Sequence, residues 1–247
     1  MPRTVRIRFY EELNDFLPEG RKKVTFSHSY FGNPPVKDII ESLGVPHTEV
    51  DLILAGGKPV KFSHRPVNGE FISVYPVFET FDLSGTTLLR PDPLRKTRFI
   101  LDVHLGKLAR YLRMMGFDTL YDNRWEDPEI IDIALAGNRI ILTRDLGILK
   151  NGKVTHGYFI RSDQPGEQTR EVIRRFELRK KIKPVSRCIE CNSSIAPVEK
   201  ERVIDLLPDK TKKYFNEFYQ CKGCGKVYWK GSHYYKMKRI IKNLLDE

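Results

Sequence analysis

Apolar and polar positions alternate near the start of the chain. Val5, Ile7 and Phe9 stand between Arg6 and Arg8, a period of two that predicts a half-buried strand. A turn near Gly20 separates it from a second strand within GRKKVTFSH. Val36, Ile39, Ile40 and Leu43 switch to helical spacing, and Gly44 stops that helix. LILAGGKPV and FISVYPVF return to strands, with a turn at Gly56-Gly57. The order strand, strand, helix, strand, strand fits a helix packed across a mixed sheet, a β-grasp (α+β) arrangement, over residues 1–82. Other α+β folds share that order.

Residues 83–97 (LSGTTLLRPDPLRKT) contain Gly85, Pro91 and Pro93 and read as a linker. Beyond it the pattern changes. Short apolar strands are expected at Arg98–Asp102, Asp118–Tyr121, Arg139–Thr143 and Gly157–Arg161. Helices fall between them. One carries Leu105, Leu108, Ala109, Leu112 and Met115 and ends at Gly116. Another carries Ile130, Ile131, Ala134 and Leu135, with Asp127 as N-cap and Pro128 at its first position. A third runs from about Glu167 to Arg179. Strands alternating with helices predict an α/β domain with a parallel sheet over 98–183. The remainder, 184–247, ends in an amphipathic helix. Met237, Ile240, Ile241, Leu244 and Leu245 lie on one face, with Lys236, Lys238, Arg239 and Lys242 elsewhere.

Charge then divides these segments. The chain has 247 residues and a net charge of +11. Residues 1–80 are balanced, whereas 98–183 and 184–247 each carry +5. A phosphate-rich partner is expected to face the later segments. No apolar run approaches the length of a membrane span, and MPRTVRIRFY has no signal-peptide core, so a cytoplasmic location without membrane attachment is the expectation.

All four cysteines lie in the last quarter: Cys188-x2-Cys191, 29 residues, then Cys221-x2-Cys224. Each pair sets two thiolates on a tight turn, and Gly225 follows the second knuckle. Four thiolates in a tetrahedron suit a closed, structural Zn²⁺ site, a four-cysteine zinc ribbon. An iron centre of the same ligand set is the minor alternative.

Asp102, Asp145 and Asp163 each fall at or just past the end of an expected strand, and Asp127 opens a helix in the same layer. Ligands of open α/β sheets bind outside those strand ends. Gathered carboxylates repel one another unless a cation sits among them, and Mg²⁺ or Mn²⁺ prefers oxygen ligands. Such a site can activate water against a phosphodiester. Taken singly, Asp102 and Asp127 read first as helix caps and Asp163 as a turn residue. The shared edge favours the metal reading.

The runs FILDVHLGKLARYLRMMGFDTLYD, RIILTRD, SRCIEC and CKGCGKVYWKGSH, in that order, resemble the Mut-seven C-terminal RNase family. The resemblance implies a PIN-like nuclease domain (98–183) fused to the zinc ribbon (184–247). It also implies a ubiquitin-like domain in front, which the first segment with its SVYPVFETFD ending looks like. It covers nearly the whole chain apart from the linker. The implied activity is divalent-metal-dependent hydrolysis of RNA by a ribonuclease using Mg²⁺ or Mn²⁺. Carried over by motif, Asp102 and Asp145 are metal-binding acids, Asp127 the third and Asp163 a fourth. Asp122, Glu126 and Asp132 compete with Asp127. The first segment is also similar to the sulfur-carrier branch of ubiquitin-like proteins. Its end, Val77-Phe78-Glu79, runs on into more chain, and Gly56-Gly57 sit mid-domain, so a docking or stabilising role is expected instead.

Candidate RNA contacts follow from charge and aromatics. Lys107, Arg110 and Arg113 recur every three residues on one helix, and Arg144 adjoins Asp145. Lys180 and Lys181 join the two later segments. Lys230, His233, Lys236 and Arg239 lie among Tyr228, Trp229, Tyr234 and Tyr235, a mixture suited to single-stranded RNA. Tyr228 and Trp229 themselves read first as ribbon core. His104 lies two residues past Asp102. No Gly-x-Ser-x-Gly elbow and no GxxxxGK[ST] loop occurs, so neither serine hydrolysis nor ATP-driven function is supported. The leading expectation is a metal-dependent endoribonuclease acting on tRNA, rRNA or mRNA. In that reading the first domain docks a protein or particle; the competing reading is an adaptor that binds RNA or the ribosome, with an inactive or weakly active PIN-like site.

Overall fold

A computed structural model describes residues 2–76, 89 and 97–246. The expected linker (all but Leu89 and Thr97) and the segment end at Val77-Phe78-Glu79 lie outside the described residues. The chain divides by its contacts into two compact units: Met1–Arg95 with Asp145–Phe159, and Lys96–Arg144 with Ile160–Glu247.

The first unit holds β1 (Arg3–Phe9), β2 (Phe26–Tyr30), α1 (Val36–Ser42), β3 (Val50–Ala55), β4 (Lys58–Pro59) and β5 (Glu70–Pro76). The sheet order is β2-β1-β5-β3-β4, with β1 and β5 parallel and the other neighbours antiparallel. This is the expected β-grasp. Val5, Ile7 and Phe9 point inward from β1 and meet Ile39, Ile40, Ile53, Ile72 and Val74. Gly44 takes φ +103°, a left-handed conformation that ends α1 where a side chain would be strained. The second strand begins only at Phe26, because Glu19–Arg21 winds into a 3-10 turn. A further 3-10 turn, Glu11–Phe16, has no signature in the apolar pattern.

The chain continues through β6 (Phe99–Leu101), α2 (Gly106–Met114), β7 (Thr119–Leu120), α3 (Asp127–Gly137) and β8 (Ile140–Thr143) in the second unit. Strands β7, β6 and β8 lie side by side, all parallel; Ile100 sits between Leu120 and Ile141. Strands β6 and β8 are buried along their whole length, as expected of parallel strands covered on both faces. The helix cap differs from expectation. Glu126, not Asp127, is the N-cap of α3: its amide donates to Glu129 Oε2 at 3.0 Å in a capping box, so Asp127 is the first helical residue and Pro128 the second.

Next come α4 (Leu146–Lys150) and β9 (Gly157–Phe159), which belong to the first unit although they fall inside the 98–183 span. They are fastened there by buried polar groups. His47, 8% exposed, sets Nδ1 2.6 Å from Glu41 Oε1 and Nε2 2.8 Å from the Val154 carbonyl. The Phe159 amide donates to Glu49 Oε1 at 2.6 Å, and Lys150 Nζ to the Glu41 carbonyl at 3.0 Å. Phe16 meets the Phe159 ring edge-on, with centroids 5.5 Å apart.

The second unit resumes with α5 (Pro165–Arg175), β10 (Ile195–Val198), α6 (Lys200–Val203), α7 (Asp209–Tyr214), β11 (Phe218–Cys221), β12 (Val227–Trp229) and α8 (Ser232–Leu245). Helix α5 stops short of Arg179 because Glu177 turns left-handed at φ 48°. Strands β10-β11-β12 form an antiparallel sheet over a small core of Val203, Leu207 and Phe218. Helix α8 packs on α5, where Arg170 Nη2 donates to the Asn243 carbonyl at 3.3 Å.

Candidate functional site

The two cysteine knuckles converge. Their four sulfurs lie within 4.8 Å of one another. Cys188 and Cys224 are 3.6 Å apart and Cys191 and Cys221 3.3 Å. These separations are far longer than a disulfide bond of about 2.05 Å. They approach the edge of about 3.8 Å that a tetrahedron with metal–sulfur bonds near 2.3 Å would have. Cys188 and Cys221 are buried, the other two exposed. Amides of Gly223 and Cys224 point at Cys221 Sγ from 3.3 and 3.5 Å, and the Tyr228 hydroxyl lies 3.0 Å from Cys188 Sγ. Such donors suit thiolates. Burial works against ionising Cys191, but hydrogen bonds from Ser193 and neighbouring thiols bring it down to about 6. The Lys226 amide favours ionised Cys224, yet burial and three adjacent sulfurs push it up to about 12. One thiolate opposes the next, the behaviour of a set that a cation completes. The cluster has the donor set for zinc.

The first knuckle is tied to the α/β core. Asn192 follows Cys191 in a left-handed conformation, φ 66°. Its side chain accepts from the Thr119 amide at 2.9 Å and donates to Asp118 Oδ1 at 2.8 Å. Asp118 also accepts from Arg139 (2.8 Å) and Arg187 (3.2 Å). Burial raises its pKa, but these donors outweigh it and hold the carboxyl below its ordinary value.

The acids sit differently. Asp102, immediately after β6, is 4% exposed. Its Oδ2 accepts from Thr143 Oγ1, at the end of β8, over 2.7 Å, and its amide donates to the Leu142 carbonyl. Among the described residues no Lys, Arg or His pairs with it. Asp145 is exposed and caps α4, accepting from the Gly147 amide at 2.5 Å. Asp127 is exposed on the first turn of α3, and Asp163 is exposed in the loop before α5. Of the competitors, Asp122 is held by Arg124 through bonds of 2.9 and 2.7 Å and lowered to about 2 by them; Glu126 caps α3; Asp132 is exposed mid-helix. Among the described residues the four cysteines are the one set of three or more metal-capable side chains drawn together. Asp102, Asp127 and Asp163 are not drawn into another.

The basic residues divide too. Lys107, Arg110, Lys180, Lys181, His233, Lys236 and Arg239 are exposed, as is His104. Arg113 is 6% exposed, and its guanidinium donates to the carbonyls of Thr119, Ile189 and Glu190 at 2.8, 3.2 and 2.7 Å. That burial does not fit the expected phosphate contact: Arg113 braces the ribbon against the core. Three-residue spacing also turns Arg113 around the helix relative to Lys107, into the packed side. Arg144 donates to the carbonyls of Ile160, Arg161 and Ser162, and Lys230 pairs with Glu217 at 2.5 Å. No helix among the described residues is long and apolar enough to cross a membrane.

Comparison with known families gives two matches. A family described as the Mut7-C RNAse domain matches residues 97–241, and one described as Mut7-C ubiquitin matches residues 2–82. No curated protein and no solved structure matches.

Proposed function

The chain belongs to the Mut7-C RNAse family, and on that premise we propose that it is a divalent-metal-dependent endoribonuclease. The observation that carries this reading is Asp102. This carboxyl group is withdrawn from solvent at a strand end, held by one hydroxyl and matched by no cationic side chain among the described residues, so its ionised form has no counter-charge there. A bound Mg²⁺ or Mn²⁺ would compensate it. Asp145, Asp127 and Asp163 are the further acids proposed to serve that ion. The metal would supply a water activated for in-line attack and a charge opposite the leaving oxygen. Thr143 would fix the rotamer of Asp102, leaving its other oxygen for the ion. The exposed cations Lys107, Arg110, Lys180, Lys181, Lys236 and Arg239 would hold flanking phosphates. Zn²⁺ would be structural, held by Cys188, Cys191, Cys221 and Cys224.

The test is cleavage of end-labelled single-stranded and structured RNAs by wild type, Asp102→Asn and Asp145→Asn, with Mn²⁺, with Mg²⁺ and without divalent ions. The expected result is cleavage by wild type that needs the ion and falls about 100-fold or more in both variants. Zinc content should be unchanged in each. Equal RNA binding by all three proteins, with no cleavage under any condition, favours the second reading: an adaptor that binds RNA or the ribosome. The +10 net charge carried between residues 98 and 247 supports either.

A further inference from the structure

Where the first knuckle, the second knuckle and α8 meet α2, the second unit forms a half-open cavity of about 520 Å³. Its wall is apolar and aromatic: Met114, Val185, Tyr228, Trp229, Tyr234 and Met237. Each of the three rings lines the cavity and is half-buried. Gly231 makes room for the indole: a Cβ there would fall 2.6 Å from Trp229 Nε1. Cations ring the mouth. Arg110, Lys226 and Lys236 line it, and Glu190 is the one acid among the lining residues. That acid is already matched by Lys226 at 3.1 Å and Arg110 at 3.9 Å. The rim therefore keeps a positive excess around an apolar hollow.

We propose that this cavity is a pocket for one unstacked nucleobase of single-stranded RNA, its neighbouring phosphates lying on Arg110 and Lys236. The proposal rests on the RNA-directed reading above and adds a place for a base that none of the four aspartates lines. Three properties select this occupant. The volume falls within the few hundred to 1,000 Å³ usual for small-molecule pockets, ample for a base. Aromatic faces favour a flat π-system of any identity. The cationic rim favours phosphate on both sides, which an apolar protein side chain would not supply. The hydroxyl of Tyr228 is turned to Cys188 Sγ, so the ring is oriented by the cysteine cluster.

The test is an abasic scan. Fluorescein-labelled single-stranded RNA decamers, each lacking one base but keeping every phosphate, are titrated with the zinc-loaded full chain without Mg²⁺ or Mn²⁺. One position should cost about fivefold or more in affinity, the worth of a stacked base. Met237→Glu, which places a carboxylate on the wall, should lower affinity for the intact decamer and abolish the penalty at that position. Tyr234→Ala, which needs no buried charge, should reduce it. Helical content and zinc stoichiometry confirm the fold of each variant. A flat profile with tight binding overturns the pocket while leaving the nuclease reading standing. Loss of ion-dependent cleavage with the penalty intact sinks hydrolysis and keeps the pocket. Absence of RNA binding by wild type overturns both.

Discussion

The four cysteines and the four aspartates both read as metal sites in sequence, but among the described residues only the cysteines are drawn together. Each cysteine pair is a local turn, so once β10, β11 and β12 zip together the sulfurs have nowhere else to be. The aspartates are spread over 62 positions, each placed by a different element. Asp102 is buried and held by a hydroxyl, whereas Asp127 and Asp163 are exposed. Asp145 lies in the unit that contains the β-grasp. The difference teaches that a site made of short-range turns is complete as soon as its own strands pair. A site made of strand ends depends on everything that holds the strands and the ion.

The largest effect is expected at the cysteines. Cys188→Ser with Cys191→Ser should abolish zinc binding, measured by elemental analysis, and unfold the ribbon, since structural zinc contributes roughly 10–16 kcal/mol to folding of such modules. Ribbon amides that stay protected from exchange in the variant would show that the hydrophobic core alone suffices, and the comparison would break.

A smaller effect is expected where the knuckle meets the core. Arg113→Met strands four carbonyls, those of Thr119, Tyr121, Ile189 and Glu190, and should cost about 3 kcal/mol in denaturant titration. Arg110→Met, exposed and 3.9 Å from its partner, should cost less than about 1 kcal/mol. Equal losses would mean the contact is not a buried brace.

Acid should probe the same seam. Asp118 has a folded pKa below its ordinary value, so its contribution is whole above the unfolded carboxylate range, near pH 4, and is lost as pH falls through the lower folded value. Stability measured from pH 5 to pH 2 should fall more steeply in wild type than in Asp118→Asn. Parallel curves would assign the acid sensitivity elsewhere.

The mildest effect is expected in the first unit. Glu49→Gln weakens the acceptor for the Phe159 amide, and exchange at that amide should quicken by about tenfold while the sheet β2-β1-β5-β3-β4 is unaffected. An unchanged rate would show that packing, such as Phe16 against Phe159, holds β9 unaided.

Much of the fold was legible because its signals are local. Period-two alternation at Val5, Ile7 and Phe9 gave β1, and helical spacing with Gly44 and Gly116 gave α1 and α2 with their stops. The knuckles were legible in spacing alone. The N-cap of α3 lies one residue before the expected Asp127 because Glu126 and Glu129 form a capping box around the first amides of the helix. Arg113 looked like part of a basic face because three-residue spacing says nothing about which neighbour that face will meet. Asp118, Asn192 and Arg187 carried no signal as a group, and neither did the wall formed by Met114, Val185, Trp229 and Met237.

The sequence by itself determined β1, α1, α2, the buried strands β6 and β8 and the spacing of the cysteine knuckles, since each is written within a few residues where backbone preference and side-chain period act. Tertiary structure alone decided that Asn192 meets Asp118 across 74 residues and His47 meets Val154 across 107. It also decided which arginine is buried and which is free to face solvent. Contacts that long form only against the entropy of closing those loops, and only the folded whole selects which of many possible partners offset it.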